Sequence, residues 1–421
     1  MALEQVFVNS ETLERLREGP LAPQLDRFCR WLNDHGFARN TIRNHISHVS
    51  HFSRYLKQSG VTDSANLNSS QIRAFLADHL PHCKCRRAGA FQYNRIAFSV
   101  HRFMKYLQEY GFACPSDKHM TPYYSLLDDY TKWLKNYHHL ASGTLRLRRH
   151  CLAQFLDRID TSFTPNKLST LSPDKIETFF LNYSNNHGQA ARRSMQAVLR
   201  TFLRFCFIRG YIRRDLACAV PTLRTYKLDK LPRGIDDNQA QRLISSIDRK
   251  TKVGRRDYAI IQLLYTYGIR SGQVRALRLN DINWRQSQIR FAPLKHGKEV
   301  VQPLTDNVGE SLLDYLKNTR PKISHPEVFL TSRAPYKPLG YSSTLSEIIA
   351  RNMHRGDITS PSCGAHTFRH CFASRILKGG HSLKSIADMI GHRCIQTTFI
   401  YTKIDFQTLS QVALNWPEEI L

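Results

Sequence analysis

The segment HTFRHCFASRILKGGHSLKSIADMIGHRCIQTTFIY, residues 366–401, decides the fold of the C-terminal part of this chain. Its His366 and Arg369 stand three residues apart, a spacing that places both side chains on one face of a helix. The run from Ser382 to Gly391 predicts a second helix, because a serine cap precedes an apolar stripe that a glycine ends. A threonine pair then predicts a short helix that carries Tyr401 in its first turn. The segment therefore predicts a helical region that gathers histidines, an arginine and a tyrosine.

Two further cations precede this segment at turns between predicted elements. Arg270 comes just after Gly268, the predicted stop of an apolar helix over 257–267. Lys295 lies in the turn of a strand–turn–strand pattern over 288–302. Both positions are typical of side chains that face a site instead of a core.

These residue types point to one kind of chemistry. A tyrosine hydroxyl titrates near ~10 and is a poor nucleophile at neutral pH. Attack on a phosphodiester needs cations on the non-bridging oxygens, and two arginine forks suit that geometry better than lysines. A histidine suits the nucleophile's proton, a mobile lysine suits the departing 5′-oxygen, and no metal or other cofactor is required. The candidate catalytic residues are Arg270, Lys295, His366, Arg369, His392 and Tyr401.

The charge of the chain favours a nucleic-acid partner. Its 421 residues are enough for two or three domains, and 61 Lys+Arg against 34 Asp+Glu give a formal net charge of +27. A surplus of this size, spread along the chain, indicates a polyanion, and double-stranded DNA is the usual one.

Other compositional features predict a cytoplasmic protein without a metal site. We find no signal-peptide pattern at the N-terminus and no apolar run long enough to cross a membrane. The 10 cysteines are scattered, which favours reduced thiols. The cysteines and histidines between 82 and 119 do not have the spacing of paired metal ligands.

The first half of the chain contains an internal repeat with a period of about a hundred residues. Both copies have the three- and four-residue apolar spacing of helices, and each ends at a predicted glycine stop, Gly111 or Gly210. The matching pairs are Trp31 with Trp133, Thr41 with Thr144, Phe52 with Phe155, Phe75 with Phe179, and Phe103 with Phe202.

Basic residues occupy the faces that the apolar stripes leave open. Arg43, His45 and His48 do so in the first copy. Because the duplicated helices share this character, phosphate contact is the favoured interpretation. The candidate DNA-binding residues are Arg43, Arg146, Arg148, Arg149, Arg192, Arg193 and Arg200.

The predicted architecture is mainly α, with two tandem helical DNA-binding domains followed by an α+β catalytic domain that has a small antiparallel sheet. The predicted boundaries are 1–118 for the extra N-terminal domain, 119–222 for the second helical domain, 223–234 for a linker, 235–405 for the catalytic domain and 406–421 for a tail.

At its catalytic candidates the sequence resembles the tyrosine site-specific recombinase family of the phage integrase type. The resemblance covers about 235–410 strongly, and 121–220 is similar to the family's core-binding helical domain. The matching motifs, in order, are Gly268-Ile269-Arg270, Lys295, His366-x-x-Arg369-His370, Gly391-His392 and Thr397-Thr398-x-x-Tyr401.

The resemblance implies a metal- and ATP-independent exchange of DNA strands through a 3′-phosphotyrosyl link, as in integration or excision of a mobile element. It also implies a homo-oligomer on DNA, from dimer to tetramer, with accessory DNA-bending or partner recombinase proteins as further candidates. The implied roles are a phosphate clamp for Arg270 and Arg369, general acid for Lys295, assisting base for His366, phosphate brace for His392 and nucleophile for Tyr401.

The chain departs from the family pattern at two places. Gln273 stands where the family usually has an acidic residue, three positions after the first arginine, and we expect weaker orientation of that arginine. The extra N-terminal copy is expected to bind arm-type or terminal DNA sites or to contact other protomers. The tail 406–421 is amphipathic and would dock on a neighbouring protomer or on its own domain.

Three alternatives remain at the level of sequence. A type IB topoisomerase or resolvase shares the tyrosine chemistry but does not exchange partners. A DNA-binding regulator with a vestigial site is disfavoured by the complete set of catalytic candidates. Metal-dependent transposition needs clustered acidic residues, and this acid-poor chain has no persuasive set.

Overall fold

The computed structural model describes residues 2–61, 67, 69–83, 93–112, 123–159, 165–224, 234–293, 299–340, 342–392 and 394–404. The tail 406–421 and Lys295 lie outside these residues. The elements are helices and one small sheet, so the predicted fold class is confirmed. In the first part of the chain the helices are α1 (Ala2–Val6), α2 (Ser10–Leu16), α3 (Ala22–Asp34), α4 (Arg39–Gln58), α5 (Ser69–Ala74), a π-helical turn (Phe75–His79), α6 (Leu80–His82), α7 (Tyr93–Glu109), α8 (Tyr124–His138), α9 (Ser142–Ile159), α10 (Pro173–Asn186) and α11 (Gln189–Ile208).

The C-terminal part contains the sheet and the helices of the predicted catalytic domain. They are α12 (Asp237–Ser245), α13 (Lys252–Tyr267), α14 (Ser271–Ala276), β1 (Ile282–Asn283), β2 (Gln288–Phe291), β3 (Val300–Pro303), α15 (Asp306–Asn318), α16 (Ser342–Arg355), α17 (Ala365–Lys378) and α18 (Leu383–Ile390). Short 3-10 segments follow at Ile395–Thr397 and Phe399–Ile404.

Contacts divide the chain into two compact units. The first comprises 1–62, 91–103 and 228–421, and the second comprises 63–90 and 104–227. The N-terminal helices up to α4 therefore share a unit with the catalytic segment. The five-part division proposed from sequence stays a prediction.

In the first unit, the N-terminal helices pack through the apolar stripe that the sequence predicts. Ile42 and Phe52 on α4 are fully buried, and the ring of Phe28 on α3 meets Phe103 edge to face at 5.0 Å between centroids. The prediction that His45 lies on the basic outer face is wrong. His45 is only 5% exposed, and its Nδ1 lies 2.8 Å from the Ser99 hydroxyl.

The second unit encloses a core rich in aromatic side chains. Tyr130, Phe155, Phe202 and Phe205 are all buried, and Tyr130 meets Phe202 edge to face at 5.4 Å between centroids. Helix α11 ends just before Gly210, whose φ of 75° is left-handed, so the predicted helix stop is confirmed.

The catalytic segment is built around helix α13, which packs against α15 and α17. The sheet is antiparallel in the order β1-β2-β3, with Ile289 opposite Ile282 on one side and Gln302 on the other. The predicted strand pair over 288–302 is confirmed, and β1 is an addition that sequence reasoning missed. Alternate residues of β2 face the core, where Ile289 and Phe291 are fully buried.

Within the described ranges, no helix combines the length and apolar character needed to cross a membrane.

Candidate active site

Arg369 is the buried centre of the candidate site. It lies on α17 and is only 3% exposed. Its Nη1 donates to the carbonyl oxygen of Gly268 at 3.0 Å, and its Nη2 donates to that of Ile390 at 2.5 Å. Because both acceptors are backbone groups at helix ends, the guanidinium is oriented by the fold itself.

Arg270 reaches the same place from a different element. It is the residue before α14, and its Nη2 donates to the Gly391 carbonyl oxygen at 3.1 Å. Gln273 does not bond this guanidinium: its Oε1 accepts from the Arg270 backbone N–H at 3.0 Å, and its Nε2 faces the Ala292 carbonyl at 3.4 Å. The glutamine therefore orients the start of α14, and the Gly391 carbonyl holds the arginine side chain.

Two glycines in left-handed conformation present these carbonyls. Gly268 ends α13 with φ 58°, and Gly391 ends α18 with φ 66°. The C-terminus of a helix carries partial negative charge, so both guanidiniums sit at favourable helix ends. A β-carbon on Gly268 would approach Phe372 to 2.7 Å, which explains why the close packing requires glycine there.

The two arginines keep their charge available for a ligand. Among the ion pairs of the described residues, none involves Arg270 or Arg369. Burial, followed by the charge of the neighbouring Arg270, lowers the pKa of Arg369 to about 10. Burial also lowers the pKa of Arg270. Two neighbouring cations without a carboxylate partner favour the binding of an anion.

Tyr401 lies against this pair of cations. It belongs to the 3-10 segment Phe399–Ile404 and is 2% exposed. Burial raises the pKa of its hydroxyl, while Arg369 and Arg270 act in the opposite direction. The net direction is upward, so the phenol is protonated at neutral pH and its proton must be transferred during any nucleophilic attack. The predicted short helix at Tyr401 is confirmed as a 3-10 turn.

His392 is fixed by a threonine that sequence reasoning treated as a helix cap. Its Nδ1 lies 2.8 Å from Oγ1 of Thr398, which is fully buried. Burial, followed by the charges of Arg369 and Arg270, lowers the pKa of His392 to about 4. The ring is therefore neutral at physiological pH.

The remaining catalytic candidates have different positions. His366 is exposed in the first turn of α17. Lys295 falls between β2 and β3, outside the described residues, so its role stays a prediction. His370, a motif residue without an assigned role, contacts the Tyr401 ring at 5.5 Å between centroids. No acidic side chain is among the described partners of Arg270, Arg369, His392 or Tyr401.

Arg43 and Arg146 are exposed candidates for DNA contact in separate units. Arg43 lies on α4, with its guanidinium 5.5 Å from the centre of the Phe7 ring. Arg146 lies on the open face of α9. Both positions leave the cationic group at the surface, as phosphate contact requires.

The other candidates on α9 have partners inside the protein. Arg148 Nη1 donates to the Tyr130 hydroxyl at 3.1 Å. Arg149 Nη1 lies 3.9 Å from a carboxylate oxygen of Asp128. The carboxylate offsets part of the charge of Arg149, whereas the neutral Tyr130 hydroxyl only fixes the position of Arg148.

Of the three candidates on α11, one is exposed and two have partners inside the protein. Arg193 is exposed. Arg192 Nε donates to the His187 carbonyl at 2.6 Å. Arg200 Nη2 donates to the Val220 carbonyl at 2.9 Å and to the Thr222 hydroxyl at 2.7 Å, which ties α11 to the chain that follows it.

Comparison with known proteins identifies the family of this chain. The sequence profile described as the phage integrase family matches residues 233–408. The chain is 33% identical over 416 residues to an integrase/recombinase of Sinorhizobium fredii (y4rA), an alignment that covers 98% of this chain and 99% of that protein. It is 28% identical over 295 residues to the tyrosine recombinase XerD of Listeria innocua, covering 68% of this chain and 96% of that protein.

A solved structure shares the fold. The XerH site-specific recombinase bound to its palindromic difH substrate in a post-cleavage complex has a TM-score of 0.55 at 19% identity. The match covers 76% of this chain and 90% of that chain.

These relatives identify the chain as an enzyme that cuts and rejoins DNA strands. The chain belongs to the phage integrase family of tyrosine recombinases.

Proposed function

We propose that the candidate site divides the recombination chemistry among six residues. Arg270 and Arg369 bind the non-bridging oxygens of the scissile phosphate, and His392 braces the same group. The Tyr401 oxygen attacks phosphorus, with His366 assisting in the removal of its proton. The P–O5′ bond breaks, Lys295 gives a proton to the 5′-oxygen, and a 3′-phosphotyrosyl link remains.

The rejoining step is the reverse reaction with a different strand. A 5′-hydroxyl of the partner strand attacks the phosphotyrosyl phosphorus, the P–O bond to Tyr401 breaks, and the phenol regains its proton. One phosphodiester is replaced by another, so the sequence of steps needs no ATP.

The observation that carries this proposal is the pair of guanidiniums without a carboxylate partner beside Tyr401. An arginine placed for stability alone normally has an acidic partner when it is buried. In this site neutral carbonyls hold both side chains, so two positive charges remain for the phosphate and for the charge that develops in the transition state.

Double-stranded DNA, bound by a homo-oligomer of two to four protomers, is the partner we infer. Solved structures of lambda integrase include a tetramer bound to a Holliday junction, with a TM-score of 0.52 and 16% identity to this chain. The net charge of +27 supports a DNA partner. We favour the exposed Arg43, Arg146 and Arg193 as phosphate contacts over Arg148, Arg149, Arg192 and Arg200, which are only partly exposed. Because chromosomal or element DNA is the inferred substrate, we infer a cytoplasmic location.

The domain roles follow the boundaries predicted from sequence. Residues 119–222 would bind the core of the recombination site, and 235–405 would hold the chemistry. The extra domain 1–118 would bind further DNA or contact other protomers. The full-length relative y4rA aligns with 98% of this chain, so the long architecture is not peculiar to this sequence. Integration or excision of a mobile element is the process we infer.

A suicide-substrate assay tests the proposed chemistry. The purified protein is incubated in EDTA with nicked duplexes made from the DNA that flanks its own gene. We expect a denaturant-resistant protein–DNA adduct, and its loss in Tyr401→Phe. Tyr258→Phe is the matched control, because it removes a phenolic hydroxyl from α13 and keeps the ring, whose centre lies 4.5 Å from the Arg249 guanidinium.

The outcomes separate the alternatives. Joining of a labelled second duplex with a 5′-hydroxyl supports strand exchange. Relaxation of supercoiled DNA without joined product would indicate a type IB topoisomerase. Specific DNA binding without an adduct on any flanking duplex would indicate a regulator, and an adduct that needs a divalent metal would contradict the six residue roles.

A further inference from the structure

His370 differs in its side-chain arrangement from four other histidines in or at the end of helices. In His35, His82, His101 and His187, Nδ1 lies 2.7 to 3.0 Å from the carbonyl oxygen of the residue four positions earlier. That local bond is the ordinary way for a histidine on a helix to satisfy Nδ1. The Nδ1 of His370 is buried and has no hydrogen-bond partner in the part of the chain that the structure describes.

The ring of His370 is instead directed at the nucleophile. It meets the Tyr401 ring at 5.5 Å between centroids, with 60° between the ring planes. On another side the backbone passes close by: a β-carbon placed on Gly234 would lie 3.0 Å from the His370 β-carbon. His370 therefore lies between the backbone at Gly234 and the ring of Tyr401.

The low pKa of His370 disfavours a role as the base that takes the Tyr401 proton. Burial, then the charges of His366 and Arg369, lower its pKa to about 4. A group with so low a pKa is a weak base toward a phenol. The ring is neutral at physiological pH, and a neutral imidazole both accepts and donates a hydrogen bond.

A buried polar atom without a partner is rare in a folded protein, and it is tolerated where a function uses it. During the proposed reaction the Tyr401 hydroxyl loses its proton and becomes bonded to phosphorus, so its position relative to the phosphate affects the rate. His370 is the neighbouring side chain with an unused polar atom.

We propose that His370 is a positioning residue for Tyr401, and that its Nδ1 makes a hydrogen bond in the DNA complex which holds the tyrosine in the attacking position. This inference rests on the proposed role of Tyr401 as nucleophile. It adds to the six catalytic candidates a residue that acts through one of them and touches no phosphate.

Three variants test the inference in the suicide-substrate assay, with the full chain and the same nicked duplex. His370→Phe keeps the ring and removes both nitrogens. His370→Asn places an amide near the position of Nδ1, and His370→Gln places one near that of Nε2. The measured quantities are the single-turnover rate of adduct formation, the dissociation constant for DNA and the thermal midpoint of each protein.

A loss of positioning has a defined kinetic signature. We expect His370→Phe to slow adduct formation by about 10- to 100-fold while the DNA dissociation constant stays within about threefold of wild type. Asn should restore the rate to within about fivefold, and Gln should be slower than Asn. The Asn and Gln comparison decides the matter even if the Phe variant does not fold.

Other results would overturn the inference. A His370→Phe protein that forms the adduct at the wild-type rate would show that no nitrogen is needed. Equal rates for Asn and Gln, with thermal midpoints that fall in parallel, would reduce His370 to a packing residue. If wild type forms the adduct and Tyr401→Phe does not, the proposed function holds whatever the His370 variants do. These results would then count against the role of His370 only.

Discussion

Two buried arginines of the catalytic segment are held in opposite ways. Arg256 on α13 is 6% exposed, and its Nε and Nη2 donate to Oδ1 of Asp257 at 3.1 and 2.9 Å. Arg369 on α17 is 3% exposed and donates only to backbone carbonyls. The first arginine is neutralised inside the fold, whereas the second keeps its charge for something that arrives from outside.

The difference distinguishes a structural ion pair from an anion receptor. Asp257 also accepts from Arg351 and from Asn352, so its network joins α13 to α16. Breaking such a network should cost stability. Removing a site arginine should cost transition-state stabilisation instead. Exposure alone does not separate the two, because both arginines are similarly buried.

The largest expected effect follows from removing the receptor. Arg369→Ala should slow adduct formation by about 10³-fold, because one of two charges on the phosphate is lost. The single-turnover rate on the nicked duplex measures it. Arg375→Ala is the control on the same helix, since that guanidinium already pairs with Asp237 at 3.1 Å. Comparable losses in the two variants would refute the distinction.

The converse variant removes the carboxylate of the structural pair. Asp257→Ala should lower the free energy of unfolding by about 3 to 5 kcal/mol, because Arg256 then remains buried without a counter-charge. Guanidinium chloride unfolding measures this change. At a low temperature, where Asp257→Ala is still folded, it should cleave DNA at a rate near that of wild type. A large cleavage defect with unchanged stability would contradict this assignment.

The two glycines that present carbonyls to the arginines should differ from each other. Gly391→Ala should lower the free energy of unfolding by about 1 kcal/mol, the cost of a left-handed residue with a β-carbon. Gly268→Ala should cost about 1 to 3 kcal/mol more, because its β-carbon would meet Phe372 at 2.7 Å. Thermal unfolding compares the stability of the two variants. Equal losses would show that Phe372 adjusts to the added β-carbon without a cost in stability.

The smallest expected effect is on the pH dependence of stability. The pKa of His392 falls from 6.5 to about 4, first because of burial and then because of Arg369 and Arg270. Between these values the unfolded chain binds a proton that the folded chain does not, so stability should fall as pH drops from about 6.5 to about 4. His392→Asn, which cannot be protonated in this range, should show a shallower slope in unfolding titrations at pH 7, 6 and 5. Identical slopes would remove His392 as a source of acid sensitivity.

Much of the fold was predictable because local patterns and packing agree. The glycine stops at Gly268, Gly391 and Gly210, the serine cap of α18 and the strand pair around Lys295 all follow from turn chemistry and periodicity. Strand β1 has only two residues, too few to leave an alternating pattern.

His45 shows why buried polar residues are harder to predict from sequence. Its spacing from Ile42 and Val49 on α4 places it on the buried stripe, a signal that was present in the sequence but was outweighed by its residue type. Its internal partner, Ser99, lies 54 residues away. Sequence periodicity indicates which face is buried and does not indicate which polar side chains find partners there.

The catalytic set shows the same limit. Motif order makes Arg270, Arg369 and Tyr401 catalytic candidates, but it does not indicate that backbone carbonyls hold the arginines. Those groups have no residue-type signature, and contacts such as that of Arg369 with Gly268 span 101 residues. For the same reason the orphaned Nδ1 of His370 could not be foreseen.

The most direct test of the receptor account changes the charge of the substrate. A nicked duplex with a methylphosphonate at the scissile position lacks the negative charge that the guanidiniums are held to receive. On ordinary DNA, Arg270→Ala should form the adduct about 10² to 10³-fold more slowly than wild type. On the methylphosphonate duplex the same variant should come within about fivefold of wild type, since no anion remains for the arginine to neutralise. An equal loss on both substrates would contradict the account and would assign Arg270 to the structure of the site instead of to the charge of the phosphate.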